Sequence, residues 1–189
     1  AYTESTAPRS TAIGVLSQAN GEGSFAGGAS AQAVGTNSVA IGGATDGTLG
    51  NKAGTAAKAT GNSSIALGTQ SKAAGNNSIA QGTASNAAGN NSIAQGTASN
   101  AVGNNSIAQG NSATAKHAAD VAVGHAATAD GTSTGSDGDG VVNNAGSAIA
   151  VGTEAQATGI VATAIGERSK ALANGAVALG GDAQAKKGS

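Results

Sequence analysis

The sequence predicts an all-β fold, a parallel β-roll in which the chain winds as a solenoid of 14-residue repeats. Three observations predict this fold. Gly stands at the fifth position of thirteen successive units, each regular unit contains two short runs in which small and large side chains alternate, and Ala recurs at the third and tenth positions of most units. A disordered chain has no reason to keep such a register, so the scarcity of large side chains does not indicate a linker.

The repeat is regular over most of the chain. Every step between units is fourteen residues except the step from Ser38 to Gly50, which is twelve. The units begin at Ser10, Ser24, Ser38, Gly50, Ser64, Ser78, Ser92, Ser106, Asp120, Thr134, Ala148, Ala162 and Ala176. Their fifth residues are Gly14, Gly28, Gly42, Gly54, Gly68, Gly82, Gly96, Gly110, Gly124, Gly138, Gly152, Gly166 and Gly180. Gly reaches positive φ without a steric penalty, so we expect the chain to turn at this position.

The unit that begins at Ser64 illustrates the predicted fold of one repeat. Residues 64–68 alternate small with large side chains, which is the two-residue period of a β-strand. Residues 71–75 alternate again, and Asn76 and Asn77 close the unit with a residue type that tolerates turns. Each unit is therefore predicted to form two short strands and two corners. At about 4.8 Å per unit, thirteen units would form a rod on the order of 60 Å long.

Small side chains are predicted to fill the interior. The third, eighth and tenth positions lie on one side of their strands and carry Ala or Ser in most units. They should face each other across a thin interior. The predicted interior residues are Ala66, Ala73, Ala80, Ala87, Ala94, Ala101 and Ala108.

The two outward faces differ in chemistry. The second strand of each unit carries mostly polar side chains outward, and we predict a ligand surface there and on the irregular segment beyond it, formed by Lys72, Asn86, Asn100, Thr114, Asp137 and Asp139. The first strand carries large apolar side chains outward, and a continuous apolar stripe on a monomer indicates an interface. We therefore expect further copies of the chain to pack on Ile65, Leu67, Ile79, Gln81, Ile93, Gln95, Ile107, Gln109, Val121, Val123, Ile149, Val151 and Ile165.

Composition excludes several classes of function. Nine basic and ten acidic residues give a net charge of -1, and one Phe and one Tyr leave no aromatic platform, so nucleic-acid binding is not indicated. The absence of Cys removes disulfides, thiol catalysis and Cys-based zinc sites. His117 and His125 have no convergent partners in the sequence and are interpreted as surface substitutions. We predict no catalytic residue, no cofactor and no metal.

Two local motifs have competing interpretations. Asp137 and Asp139 have the spacing of a calcium loop, but the Glu that closes such a loop is absent, which favours an excursion from the roll. The segment at about 131–147 is predicted to be either a loop or a degenerate coil. The tripeptide Asn76-Asn77-Ser78 and its copies match N-x-S, and we interpret their Asn residues as corner residues.

The pattern S-x-A-x-G followed by x-x-[SA]-x-A-x-G resembles the head repeat of the YadA-like trimeric autotransporter adhesins of Gram-negative bacteria. Residues 64–68 and 38–42 match it closely, and the resemblance extends from about Ser10 to Gly181. It implies a left-handed parallel β-roll, a side-by-side homotrimer and a trimer interface on the apolar face. It also implies attachment to host cells or to matrix proteins of the collagen or fibronectin type, at the outer-membrane cell surface. This chain contains no coiled-coil heptads, neck motif or anchor, so membrane attachment would depend on an anchor domain outside it.

The predicted organisation is an N-terminal segment at 1–9 and a head β-roll at 10–189. Two other functions are weighed against adhesion. An ice-binding solenoid would need a regular Thr array, whereas Thr69, Thr83 and Thr97 form a short column interrupted by Asn111. A β-helical acyltransferase would need a hexapeptide period and a catalytic His, whereas this period is fourteen.

Overall fold

Two parallel β-sheets lie face to face, and the chain alternates between them along the rod. The computed structural model describes residues 3–44, 55–131 and 146–186. Within these residues, three-residue strands build one sheet of eleven strands, and two-residue strands build the other sheet of twelve. The prediction of an all-β parallel solenoid with two short strands per repeat is confirmed.

The two kinds of strand are called long and short below. The long strands, with even numbers, are β2 (Thr11–Ile13), β4 (Phe25–Gly27), β6 (Val39–Ile41), β8 (Ile65–Leu67), β10 (Ile79–Gln81), β12 (Ile93–Gln95), β14 (Ile107–Gln109), β16 (Val121–Val123), β18 (Ile149–Val151), β20 (Thr163–Ile165) and β22 (Val177–Leu179). The short strands, with odd numbers, are β1 (Glu4–Ser5), β3 (Gln18–Ala19), β5 (Gln32–Ala33), β7 (Lys58–Ala59), β9 (Lys72–Ala73), β11 (Asn86–Ala87), β13 (Asn100–Ala101), β15 (Thr114–Ala115), β17 (Thr128–Ala129), β19 (Gln156–Ala157), β21 (Lys170–Ala171) and β23 (Gln184–Ala185).

Equivalent residues of successive repeats pair directly. Ile79 pairs with Ile93, and Gln81 pairs with Gln95, so each column of the sequence repeat is a column of the sheet. The first short strand pairs in the same way in the other sheet, where Glu4 pairs with Gln18. That strand lies within residues 1–9, which were predicted to be an N-terminal segment separate from the roll.

The count of thirteen stacked units is too high, because two units add no long strand to the ladder. One of them lies at about 131–147, where a loop was one of the two predicted alternatives. Val39 of β6 pairs directly with Ile65 of β8, and Val121 of β16 pairs directly with Ile149 of β18. The eleven long strands of the described chain correspond to a rod of about 50 Å. Most of the unit from Thr134, including Gly138, and the fifth residue Gly54 lie outside the described residues.

Ala and Ser fill the space between the sheets. The seven Ala side chains predicted as interior are all fully buried between the two sheets. Ser at the first position is buried too, from Ser24 to Ser106. The hydroxyls of Ser64, Ser78, Ser92 and Ser106 donate to the carbonyl three residues earlier, as from Ser78 to Gly75 at 2.6 Å. The two sheets can lie close together because no interior side chain of the regular coils is larger than Ser.

Both corners require unusual backbone angles. The fifth-position Gly residues have positive φ, for example 127° at Gly82, which confirms the predicted turn there. The seventh and fourteenth positions are left-handed as well, including Ala84 at 56° and Asn91 at 55°. Gly at the twelfth position serves a different purpose, because a Cβ on Gly75 would lie 2.0 Å from the carbonyl oxygen of Gly89 in the next coil.

Candidate functional site

The short-strand face consists of the outward side chains at the ninth position. Lys72, Asn86, Asn100 and Thr114 are consecutive neighbours in its sheet. Asn86 Nδ2 donates to Asn100 Oδ1 at 2.8 Å, so the two amides form part of a ladder along the rod. The sheet therefore brings four of the predicted ligand-surface residues into one column. The other two, Asp137 and Asp139, lie outside the described residues.

The long-strand face consists of the outward side chains at the second and fourth positions. The thirteen residues predicted as an interface all lie on it, between β8 and β20. Apolar side chains remain substantially exposed at many fourth positions, with 45% exposure at Ile41 and 43% at Ile165. The exposure rises to 59% at Ile13 and 63% at Leu179, near the two ends of the described chain. A long apolar surface of this kind is typical of a protein interface.

Three Gln side chains interrupt that apolar face. Gln95 Nε2 donates to Gln81 Oε1 at 3.2 Å, and Gln109 Nε2 donates to Gln95 Oε1 at 3.1 Å. All three side chains are exposed in the single chain. The ladder therefore presents a row of amides at the fourth position where neighbouring coils present Leu67 and Val123.

The Asn residues of the N-x-S tripeptides have a structural role at the second corner. The backbone N–H of Asn62 donates to Asn76 Oδ1, and that of Asn76 donates to Asn90 Oδ1, both at 2.9 Å. The residue that follows each of these, Ser63 or Asn77, adopts the left-handed conformation, with φ of 54° at both. This geometry agrees with the interpretation of these residues as corner residues.

A buried carboxylate, which sequence reasoning missed, marks the coil before residues 132–145. Asp120 occupies the first position, where the preceding units carry mainly Ser, and its side chain is fully buried. It accepts hydrogen bonds from the backbone N–H groups of His117 at 2.9 Å, Gly131 at 3.2 Å and Ala148 at 2.9 Å. The sequence did contain a signal for this residue, because Asp120 is an acidic residue in a column of mainly Ser, immediately before an irregular repeat.

His117 lies beside this carboxylate and is only partly exposed. Its Nδ1 is 3.2 Å from Asp130 Oδ1 and 3.8 Å from Asp120 Oδ2. It stands in the column that is otherwise mostly Gly, and Gly146 packs close to its Cβ. Lys116 also pairs with Asp130 at 2.5 Å, so the residues next to the irregular segment form a small charged cluster.

The last coils carry an exposed ion pair. Arg168 Nε donates to Asp182 Oδ1 at 2.7 Å, and Nη2 donates to Oδ2 at 2.9 Å. The hydrogen bond from Arg168 holds the pKa of Asp182 below its usual value. Both side chains are more than half exposed, so solvent screening keeps the contribution of this pair to stability small.

The described residues contain no group of three or more His, Cys, Asp or Glu side chains placed to hold a metal ion. The same part of the chain contains no helix long and apolar enough to cross a membrane.

Comparison with known proteins identifies the repeat. The YadA head domain repeat matches nine stretches of the chain, most of which overlap, at residues 5–31, 28–45, 53–71, 59–85, 73–99, 87–113, 101–127, 144–160 and 157–183. A search of curated proteins gave no significant match.

A solved structure agrees with this match. The crystal structure of the collagen-binding domain of the Yersinia adhesin YadA is 27% identical in sequence and superposes with a TM-score of 0.57. The similarity covers 80% of this chain and 81% of that domain. Repeat pattern, strand pairing and structural similarity agree, and the chain therefore belongs to the YadA head family and forms an adhesin-type head domain.

Proposed function

We propose that this chain is a non-enzymatic head that works as a side-by-side homotrimer of left-handed β-rolls on the outer membrane of a Gram-negative bacterium. It would attach the cell to host cells or to extracellular-matrix proteins of the collagen or fibronectin type. The observation that carries this proposal is the division of the roll into two unlike outward faces. One is apolar enough to bury against further copies, and the other is polar and repeats at one strand spacing.

The long-strand face supports self-association. Its apolar side chains recur in consecutive coils and stay partly exposed in a single chain. A homotrimer would bury them without any partner of different sequence. Fully burying one Val, Leu or Ile side chain contributes roughly 1.5–3 kcal/mol, so several coils together would supply a stable interface.

The short-strand face supports distributed binding to a matrix partner. Its column of Lys72, Asn86, Asn100 and Thr114 is made of modest polar side chains, each of which would make a weak contact. Three chains would present three copies of this column, and many heads would cover one cell. Linking weak sites raises overall affinity by about 10²–10⁴ without any new contact. Weak binding by one head and firm attachment by a coated surface are the expected behaviour.

Two measurements on the full chain test this function. Light scattering should give the mass of a trimer, and solid-phase binding to immobilised collagen and fibronectin should be weak for soluble heads and strong for heads displayed on beads. Alanine replacement of Lys72, Asn86, Asn100 and Thr114, singly and as a block, should reduce binding in proportion to the number of coils changed. Retention of full binding by the block variant would exclude this face as the ligand surface.

A further inference from the structure

Among the described long strands, the fourth position carries an amide side chain only in the middle of the ladder. Gln81, Gln95 and Gln109 occupy it in β10, β12 and β14, and Leu67 and Val123 occupy it in the adjoining coils. The second position does not change in parallel, because Ile65, Ile79, Ile93 and Ile107 continue unbroken through the same region. These three Gln residues, called the amide block below, are therefore a polar interruption in a part of the face that is otherwise mostly apolar.

The Gln ladder leaves hydrogen-bonding capacity unused. A Gln amide has two N–H donors and a carbonyl oxygen with two lone pairs. Within the ladder, Gln95 donates one N–H to Gln81 and accepts one from Gln109. Its second N–H makes no hydrogen bond within the ladder. The middle amide keeps one donor and one acceptor for a neighbouring chain.

Apolar packing alone would not define how identical chains align along their axes. The segments Ile79–Gln81, Ile93–Gln95 and Ile107–Gln109 have the same sequence, and most flanking coils carry interchangeable Ile, Val or Leu. Swaps among such side chains are tolerated in apolar contacts. A shift by one coil would therefore keep Ile against Ile, but it would place Gln81 against Leu67 at one end and Gln109 against Val123 at the other.

We infer that the amide block of Gln81, Gln95 and Gln109 sets the axial register between copies of this chain. In register, each amide meets the same amide of the next chain and uses its remaining donor and acceptor. Out of register, amides at both ends of the block are buried against apolar side chains, which is unfavourable because a buried polar group needs a partner. This inference rests on the proposed homotrimer, and it names the residues that align the chains of that trimer along their axes.

Disulfide trapping tests the inference, because the chain contains no Cys of its own. One chain carries Val123→Cys, and a second chain, which also carries a size tag, has Val151→Cys. These two positions are chosen because they are neighbours in the ladder. The two chains are unfolded together, refolded and oxidised. Equal register favours 123–123 and 151–151 links, whereas a one-coil shift favours 123–151 links. The measured quantity is the ratio of unlike to like links.

The test compares three backgrounds of the full chain. In the unsubstituted background, like links should dominate. In the background of Gln81→Leu, Gln95→Leu and Gln109→Leu, the ratio should rise at least threefold. A matched control places Leu at Asn86, Asn100 and Thr114, on the short-strand face of the same coils, and should leave the ratio unchanged.

Light scattering on each background separates the two ways of failing. A monomer in the unsubstituted background would overturn the proposed trimer and with it the inference. A trimer whose ratio is unchanged by the three Gln→Leu substitutions would overturn the inference alone.

Discussion

Asp120 Oδ1 accepts a hydrogen bond at 2.9 Å from the backbone N–H of Ala148, which lies 28 residues further along the chain. The other oxygen of the same carboxylate accepts from Gly131, so one buried side chain holds the residues on both sides of 132–145. Gly131 also lies against Gly146. The ladder can therefore continue directly from β16 to β18, although a full repeat length of sequence intervenes.

Replacing Asp120 with Ala should strongly destabilise the fold. Three backbone N–H groups would lose their acceptor, and two of these hydrogen bonds are buried. We expect the free energy of unfolding to fall by roughly 2–5 kcal/mol, measured by urea denaturation. Ser92→Ala, which removes one hydroxyl donor from the same column, should cost about 1 kcal/mol. Equal losses for the two variants would contradict the role assigned to the carboxylate.

Gly89→Ala should disrupt the spacing between coils. The new Cβ would lie 2.0 Å from the carbonyl oxygen of Gly103, and both atoms belong to rigid backbone. We expect a loss of roughly 1–3 kcal/mol or more, seen as a lower melting temperature. Gly175→Ala is the control, because no atom lies within 4 Å of its Cβ and only the left-handed φ of 65° opposes it. Its expected cost is about 1–2 kcal/mol; a larger loss there than at Gly89 would argue against close stacking as the cause.

Enlarging the interior should cost more than enlarging the surface. Ala94 and Ala101 are fully buried between the two sheets, whereas Lys72 is exposed. Ala94→Leu or Ala101→Leu should each destabilise by roughly 1–3 kcal/mol, because a close-packed interior must move to admit the added atoms. Lys72→Leu should change the melting temperature little. Identical melting temperatures for the three variants would be incompatible with an interior filled by small side chains.

Ile93→Asp should break the proposed trimer. This side chain lies at the middle of the long-strand face, where an interface would desolvate the new carboxylate without an opposite charge. Light scattering should then report monomers, or circular dichroism should report unfolding if a single roll is not stable. Asn100→Asp adds the same charge on the short-strand face and should leave a folded trimer. If Ile93→Asp remains a trimer, the long-strand face is not the interface.

Sequence reasoning located most of the strands and both outward faces because the rules involved are local. Alternation assigns each side chain to one side of a strand, and Gly at the fifth position marks the turn whichever coil it occupies. Ala80 and Ala94 are buried and Ile79 and Ile93 point outward for this reason. The family repeat is recognisable from the same columns.

By itself, then, the sequence determined the period, the strands, the small interior and the contrast between an apolar and a polar face. Only the tertiary structure decided which repeats become neighbours, because strand pairing joins residues far apart in the chain. Val39 pairs with Ile65 across a unit that the glycine pattern had counted as a coil. Val121 pairs with Ile149 across the segment for which the sequence had left a loop and a degenerate coil open. The same long-range pairing created the carboxylate bridge of Asp120 and the amide ladder of Gln81, Gln95 and Gln109, since each depends on side chains stacked in adjacent coils.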